Sequence, residues 1–150
     1  MILSRRRLLY LFASTAAAAL ATRSLAAAGP ASSLYPAKQC GKWGYIDRKG
    51  TMVIAPRFDI AWPFSDNLAP FKQGDKWGYL DTAGTEVLSP CFDEARIFHR
   101  TLSPVRVGTL WGFIHSDGSY GIPLQFDSAR SFQDDRARVR VKGKWGFIDS

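Results

Sequence analysis

The sequence predicts an all-β fold assembled from tandem 34-residue units, each a three-stranded meander. Three observations point there. Trp-Gly pairs stand at Trp43-Gly44, Trp77-Gly78, Trp111-Gly112 and Trp145-Gly146, so every step is 34 residues. The same step links Gly50, Gly84 and Gly118, and it links Phe58-Asp59, Phe92-Asp93 and Phe126-Asp127. Between these marks, short aromatic or β-branched runs meet at Asp-x-x-Gly turns, which is hairpin chemistry. Helical repeats of similar length exist, so local chemistry and not the period selects strands.

Residues 1–28 stand apart from the repeat and read as a helical secretory signal peptide. A basic start is followed by an Ala-rich apolar run to Ala21 and small residues at Ala26-Ala27-Ala28. The apolar run is shorter and weaker than the roughly 20 strongly apolar residues of a membrane span. Ser4-Arg5-Arg6-Arg7-Leu8-Leu9 resembles the twin-arginine export signal, and Arg23 near the exit suits that route. Cleavage after Ala28 or Ala26 meets the small-x-small rule; an uncleaved signal would instead anchor the chain to the membrane. The expected location is periplasmic or extracellular.

Removing the signal changes the charge balance. The chain carries 20 Lys and Arg against 13 Asp and Glu, a net charge of +7. Four of the arginines and none of the acids lie in residues 1–28, leaving +3 for the rest. That modest surplus disfavours a nucleic-acid partner. Cys40 and Cys91 would be free to pair in an oxidising compartment, where an unstrained bridge would contribute about 3–4 kcal/mol. Their spacing does not decide the matter.

Residues 29–40 read as a linker, and residues 41–150 as the repeat domain, with copies at 41–73, 74–107, 108–141 and a partial one at 142–150. In the first copy, Lys42 to Asp47 forms a strand, Asp47-Arg48-Lys49-Gly50 turns it, and Met52 to Ala55 returns until Pro56 stops it. A corner follows, Phe58-Asp59-x-Ala61-x-x-Phe64, whose spacing suits a single 3₁₀-like turn or a compact loop with all three side chains inward. Asp59, Asp93 and Asp127 would cap that turn by accepting its backbone N–H groups. A third strand, Leu68 to Gln73, leads through Gly74-Asp75 into the next Trp-Gly strand. On this reading the N-terminal copy lacks its preceding strand and the C-terminal copy lacks two following ones, so both ends expose edges open to self-association.

Alternation along the strand puts Trp43, Tyr45 and Asp47 on one face, with Gly44 and Ile46 on the other. One indole per copy predicts a ladder of indoles stacked from copy to copy, each burial contributing about 2–3 kcal/mol. The adjacent glycine would let an aromatic ring from a neighbouring strand lie on the backbone. An aromatic ladder for a sugar or choline ligand is the alternative role for these rings.

These residues resemble the WG-repeat family, from Trp43-Gly44-Tyr45-Ile46-Asp47 through Pro56, Phe58-Asp59, Ala61 and Phe64, and again from Trp77 through Phe98. The third copy departs, with His115 for Asp, Gly121 for a β-branched residue and Leu124 for Pro, so its outer hairpin should be looser. The resemblance covers residues 41–150 and implies a β-rich array, open or propeller-like, without an assigned activity. Three complete copies would not close a propeller without oligomerisation.

Catalytic chemistry leaves little trace. His99 and His115 sit at different offsets in different copies, with no metal-ligand spacing around either. No P-loop, Gly-x-Ser-x-Gly or His-Glu-x-x-His occurs. Asp134-Asp135 reads as a solvated loop tip rather than a cation site. No catalytic residue, metal or cofactor is expected, and the chain reads as noncatalytic.

One surface feature stands out. Arg136, Arg138, Arg140 and Lys142 alternate with Ala137, Val139 and Val141, a basic stripe on one strand face. It is the candidate site for an anionic partner: protein, envelope polysaccharide or lipid. A charged edge that discourages aggregation is the plainer alternative. The expected function is a binding or scaffolding module of the bacterial envelope. An envelope hydrolase with an unrecognised site, and a truncated remnant of a longer repeat protein, are the other readings.

Overall fold

The computed structural model describes residues 33–149. The expected signal peptide, with its helix and twin-arginine motif, lies outside the described residues.

Fourteen strands and no helix occupy the described residues. The first sheet comprises β1 (Tyr35–Gln39), β2 (Lys42–Ile46) and β3 (Met52–Phe58). The second comprises β4 (Ile60–Ala61), β5 (Leu68–Gln73), β6 (Lys76–Asp81) and β7 (Glu86–Phe92). The third comprises β8 (Glu94–Ala95), β9 (Ser103–Val107), β10 (Leu110–Ile114) and β11 (Tyr120–Phe126). The fourth comprises β12 (Ser128–Ala129), β13 (Arg136–Val141) and β14 (Lys144–Asp149). Each strand pairs antiparallel with its sequence neighbour, so the all-β meander expectation holds.

The sheets are out of phase with the sequence copies. The second and third each begin at a corner and end with the strand that follows Trp-Gly. The segment read as a linker, 29–40, also contains β1, which pairs with β2 from Tyr35↔Ile46 to Gln39↔Lys42. The first Trp-Gly strand therefore has its preceding partner after all. Leu34 to Gln39 is a diverged version of Leu68 to Gln73, sharing Leu, Pro, Lys and Gln at the 34-residue step.

Neither Pro56 nor the corner behaves as the sequence pattern implied. β3 runs through Pro56 to Phe58, because a bulge there lifts the proline out of the ladder: Trp43 pairs with Phe58, yet Tyr45 pairs with Ile54. The corner is no 3₁₀ turn. Ile60–Ala61 pairs with Lys72 and Phe71 as a two-residue strand. Asp59 caps a different element: its Oδ2 accepts the N–H of Gly74, 2.8 Å away in the β5–β6 turn, and its Oδ1 accepts Lys42 Nζ at 2.5 Å. Asp93 repeats this with Gly108 and Lys76, and Asp127 with Gly143 alone, since Leu110 replaces the lysine.

Three hydrophobic clusters fill the spaces between consecutive sheets. Tyr45, Ile54 and Phe58 of the first sheet meet Ala69, Phe71 and Leu80 of the second. Leu68, Trp77, Tyr79 and Phe92 of the second meet Val105 and Ile114 of the third. Leu102, Trp111, Phe113 and Phe126 of the third meet Ala137, Val139 and half-buried Ile148 of the fourth. The stack is held by nearest neighbours, as repeat arrays are.

The indole ladder is absent. No two Trp-Gly indoles form a ring pair among the described residues. The recurring aromatic contact is instead Tyr45 with Phe64, Tyr79 with Phe98 and Phe113 with Phe132, at 4.8, 4.9 and 5.1 Å between centroids. Trp43, Trp77 and Trp111 belong to three successive clusters, so consecutive indoles lie in different layers of the stack. The Trp-Gly glycine is not a seat for a ring either. A Cβ on Gly44 would stand 2.4 Å from the Ile54 carbonyl oxygen, and on Gly78 2.5 Å from that of Leu88, so the bulged strand's backbone needs the space.

The third outer hairpin keeps the backbone bonds of the others, although His115 lacks the carboxylate with which Asp47 and Asp81 each accept two turn N–H groups. His115 N–H reaches the Ser119 carbonyl at 2.8 Å, as Asp47 N–H reaches that of Thr51 at 2.9 Å. Gly121 makes room for the larger side chain: a Cβ there would lie 2.9 Å from His115 Nε2 and 2.6 Å from Leu102 Cδ2. The two departures compensate each other. Cys40 and Cys91 are free thiols, both exposed, in the first and second sheets.

Candidate anion and partner-binding face

The fourth sheet presents its Trp-Gly face without the cover that the other three have. Trp77 and Trp111 are 9% and 5% exposed, and their strand-mates Tyr79 and Phe113 are fully buried. The equivalent Trp145 and Phe147 are 43% and 72% exposed.

β13 carries the arginines onto that face. Its buried positions, Ala137 and Val139, point into the third cluster, so Arg136, Arg138 and Arg140 point outward by the two-residue alternation. Cross-strand pairing places Arg136 opposite Asp149, Arg138 opposite Phe147 and Arg140 opposite Trp145. The Arg138 guanidinium lies 4.2 Å from the Trp145 ring centroid and that of Arg140 5.8 Å, within cation–π range. Arg136 Nε is 3.3 Å from Asp149 Oδ1. Lys142 does not join the stripe. It occupies the β13–β14 turn at a positive φ of 48°, where alternation ends and its side chain leaves the strand face.

The internal sheets show what these positions normally hold. Arg136 replaces Leu68 and Leu102, and Arg138 replaces Pro70 and Pro104, residues buried beneath the next sheet. Only Arg140 keeps the basic character of Lys72 and Arg106.

A groove of about 1090 Å³ runs from this face along the corners, lined among others by Trp62, Arg96, Arg130, Arg136, Arg138 and Phe147. Residues 62, 96 and 130 are the same position in successive copies, so the period itself builds the groove wall. Arg96 lies 5.1 Å from the Trp111 ring, and its Nε, like that of Arg140, is buried without an acceptor. A guanidinium N–H left without a partner is costly. Asp134 and Asp135 line the same groove. They sit in a tight turn at φ of 46° and 66°, and Asp135 pairs with Arg100.

Sequence reading found the stripe and missed Trp62, Arg96 and Arg130. Their shared 34-residue offset was the available signal, but Trp, Arg and Arg do not look like a repeat. Neither His99 nor His115 lines the groove. Among the described residues, no three His, Cys, Asp or Glu side chains gather as a metal site.

The family model described as WG containing repeat matches residues 43–77, 77–108 and 111–145. No curated protein and no solved structure matches the chain.

Proposed function

The chain belongs to the WG-repeat family, and we propose that it acts as an exported, noncatalytic binding and scaffolding module of the bacterial envelope. Its contact surface for an anionic partner is the arginine and aromatic face of the fourth sheet. One observation carries this reading. Two positions that are Leu and Pro beneath the internal sheets are arginine on the open face, beside exposed Trp145 and Phe147. Arginine offers planar, multiply donating recognition of carboxylate and phosphate, and the rings add apolar contact area.

The test is co-sedimentation of the chain with vesicles containing anionic lipid and with an acidic polysaccharide, across a salt series. Binding should weaken as salt rises and vanish in the triple variant Arg136→Gln, Arg138→Gln, Arg140→Gln. Equal binding by that variant would remove the face from the function. Export is tested separately. Changing Arg5, Arg6 and Arg7 to lysine should stop secretion, and continued release would exclude the twin-arginine route.

A further inference from the structure

One corner aspartate keeps half of its carboxylate free. Trp43 pairs with Phe58 and Trp77 with Phe92, so Lys42 and Lys76 stand opposite Asp59 and Asp93, the next residues along. Each lysine donates to Oδ1 of its aspartate, at 2.5 and 2.6 Å. A hairpin N–H, that of Gly74 or Gly108, bonds Oδ2 at 2.8 and 2.6 Å. Trp111 pairs with Phe126 in the same register, which puts Leu110 opposite Asp127. Gly143 N–H bonds Asp127 Oδ2 at 3.0 Å, and among the described residues nothing donates to Oδ1. The change is not confined to the lysine. Leu110 pairs across its hairpin with Val107, which stands where the first two sheets carry Gln39 and Gln73. Both side chains are exposed, 38% and 39%, although the third sheet has neighbours on both faces. Two polar positions have become aliphatic beside a carboxylate that keeps an open acceptor.

We propose that Val107, Leu110 and Asp127 form a seat for one lysine side chain of a partner protein. The ammonium takes Asp127 Oδ1, the position that Lys42 and Lys76 hold on the equivalent carboxylates. Its stem lies along Leu110 and Val107, because lysine covers apolar surface with its methylenes while its charge stays in water. Two exposed aliphatic side chains are a small patch, which suits one stem and not a helix or a strand. Neighbouring cations do not bar the seat. Lys72 and Arg106 act on Asp59 and Asp93, and both carboxylates still hold their lysines. Arg140 is the equivalent neighbour of Asp127, whose N–H bonds its carbonyl, and Lys142 stands in the same hairpin. That local surplus of positive charge selects a lysine flanked by acidic residues.

The experiment follows the full chain by amide and methyl NMR during titration with a blocked Ala-Lys-Ala peptide, and with the same peptide carrying norleucine for lysine. Saturable shifts are expected at the Gly143 amide and at the Leu110 and Val107 methyls. The dissociation constant should be on the order of 1 mM, the strength of a single anchor within a larger interface. The norleucine peptide should leave these signals unmoved. Glutamates on either side of the lysine should tighten binding by about 2- to 5-fold. Asp127→Asn and Leu110→Lys should each weaken it by about 10-fold or more, the second because the chain's own ammonium then takes Oδ1. Lysine is what the first two sheets carry at that position, so Leu110→Lys keeps the fold. The triple arginine variant should still bind Ala-Lys-Ala while losing the anionic ligand, which separates this seat from the face above. No saturable shift overturns the proposal, as does an undiminished response in Leu110→Lys. Shifts of the same signals that grow with the chain's own concentration would assign the seat to a second copy and overturn the partner assignment.

Discussion

Gly44, Gly78 and Gly112 show how one residue type can be required for a reason that its neighbours in sequence conceal. Each lacks a side chain because a carbonyl from a strand about ten residues later occupies the space. Alanine there would force backbone apart, an overpacking that costs about 1–3 kcal/mol. The same change at Gly146 should be neutral or stabilise by up to about 1 kcal/mol, through a less flexible unfolded chain. Urea denaturation of Gly78→Ala beside Gly146→Ala checks this contrast; equal losses would mean the glycines serve strand geometry in general. The pattern revealed that glycine was needed, but the cause depends on a bulge that only pairing register exposes. Buried tyrosines add a pH signature. Tyr45 donates to the Trp62 carbonyl and Tyr79 to that of Arg96, both at 2.8 Å. Desolvation by burial pushes both phenols above their ordinary value of 10.0. The unfolded chain releases those protons near pH 10 while the fold retains them. Stability is therefore full below that pH and falls as pH rises beyond it. Replacing both tyrosines with phenylalanine should flatten the alkaline limb of a melting-temperature profile.

The two-residue hairpins at Gly74, Gly108 and Gly143 are each tied to the preceding corner by an aspartate. The Lys42 ammonium, hydrogen-bonded to Asp59, is the main cause holding that carboxyl below the ordinary 3.8, and the Gly74 N–H adds to it. Lys76 and Gly108 act likewise on Asp93. A depressed carboxyl favours the fold above the unfolded value and loses that contribution as pH falls through the folded one. Acidification below about pH 4 should thus loosen these elements first. Asp93→Asn should reduce the acid-dependent part of the melting-temperature profile and leave the alkaline part intact, which circular dichroism across pH 2–8 would follow. Recurrence of Asp at a 34-residue step marked it as structural, and that was legible. Its partner was not: the turn it holds lies fifteen residues on, beyond the reach of a local capping pattern. β1 was legible and overlooked, because Tyr35 and Ala37 break the apolar pattern of Ala69 and Phe71. Among the described residues no preceding sheet covers those positions, and Tyr35 is exposed.

Across the whole stack, stability follows from how many neighbours a sheet has. Among the described residues, the second and third sheets are packed on both faces and the first and fourth on one. Leu80 and Ile114 link sheets as fully buried side chains inserted into the preceding cluster, whereas their equivalent Ile148 is only half-buried. Truncating Leu80 or Ile114 to alanine should cost about 2–5 kcal/mol, and Ile148→Ala should cost less, because its site is already open to water. A nearest-neighbour array also predicts where opening begins. Amide hydrogens of β6 and β10 should exchange most slowly and those of β14 fastest, since its outer edge has no partner strand among the described residues. Ile114→Ala should then accelerate exchange in the third and fourth sheets more than in the first, because it cuts the second cluster and leaves the first intact. Exchange that instead rises equally in all four sheets would mean the array unfolds as one cooperative block. The fourth sheet would then be as rigid as the second and third.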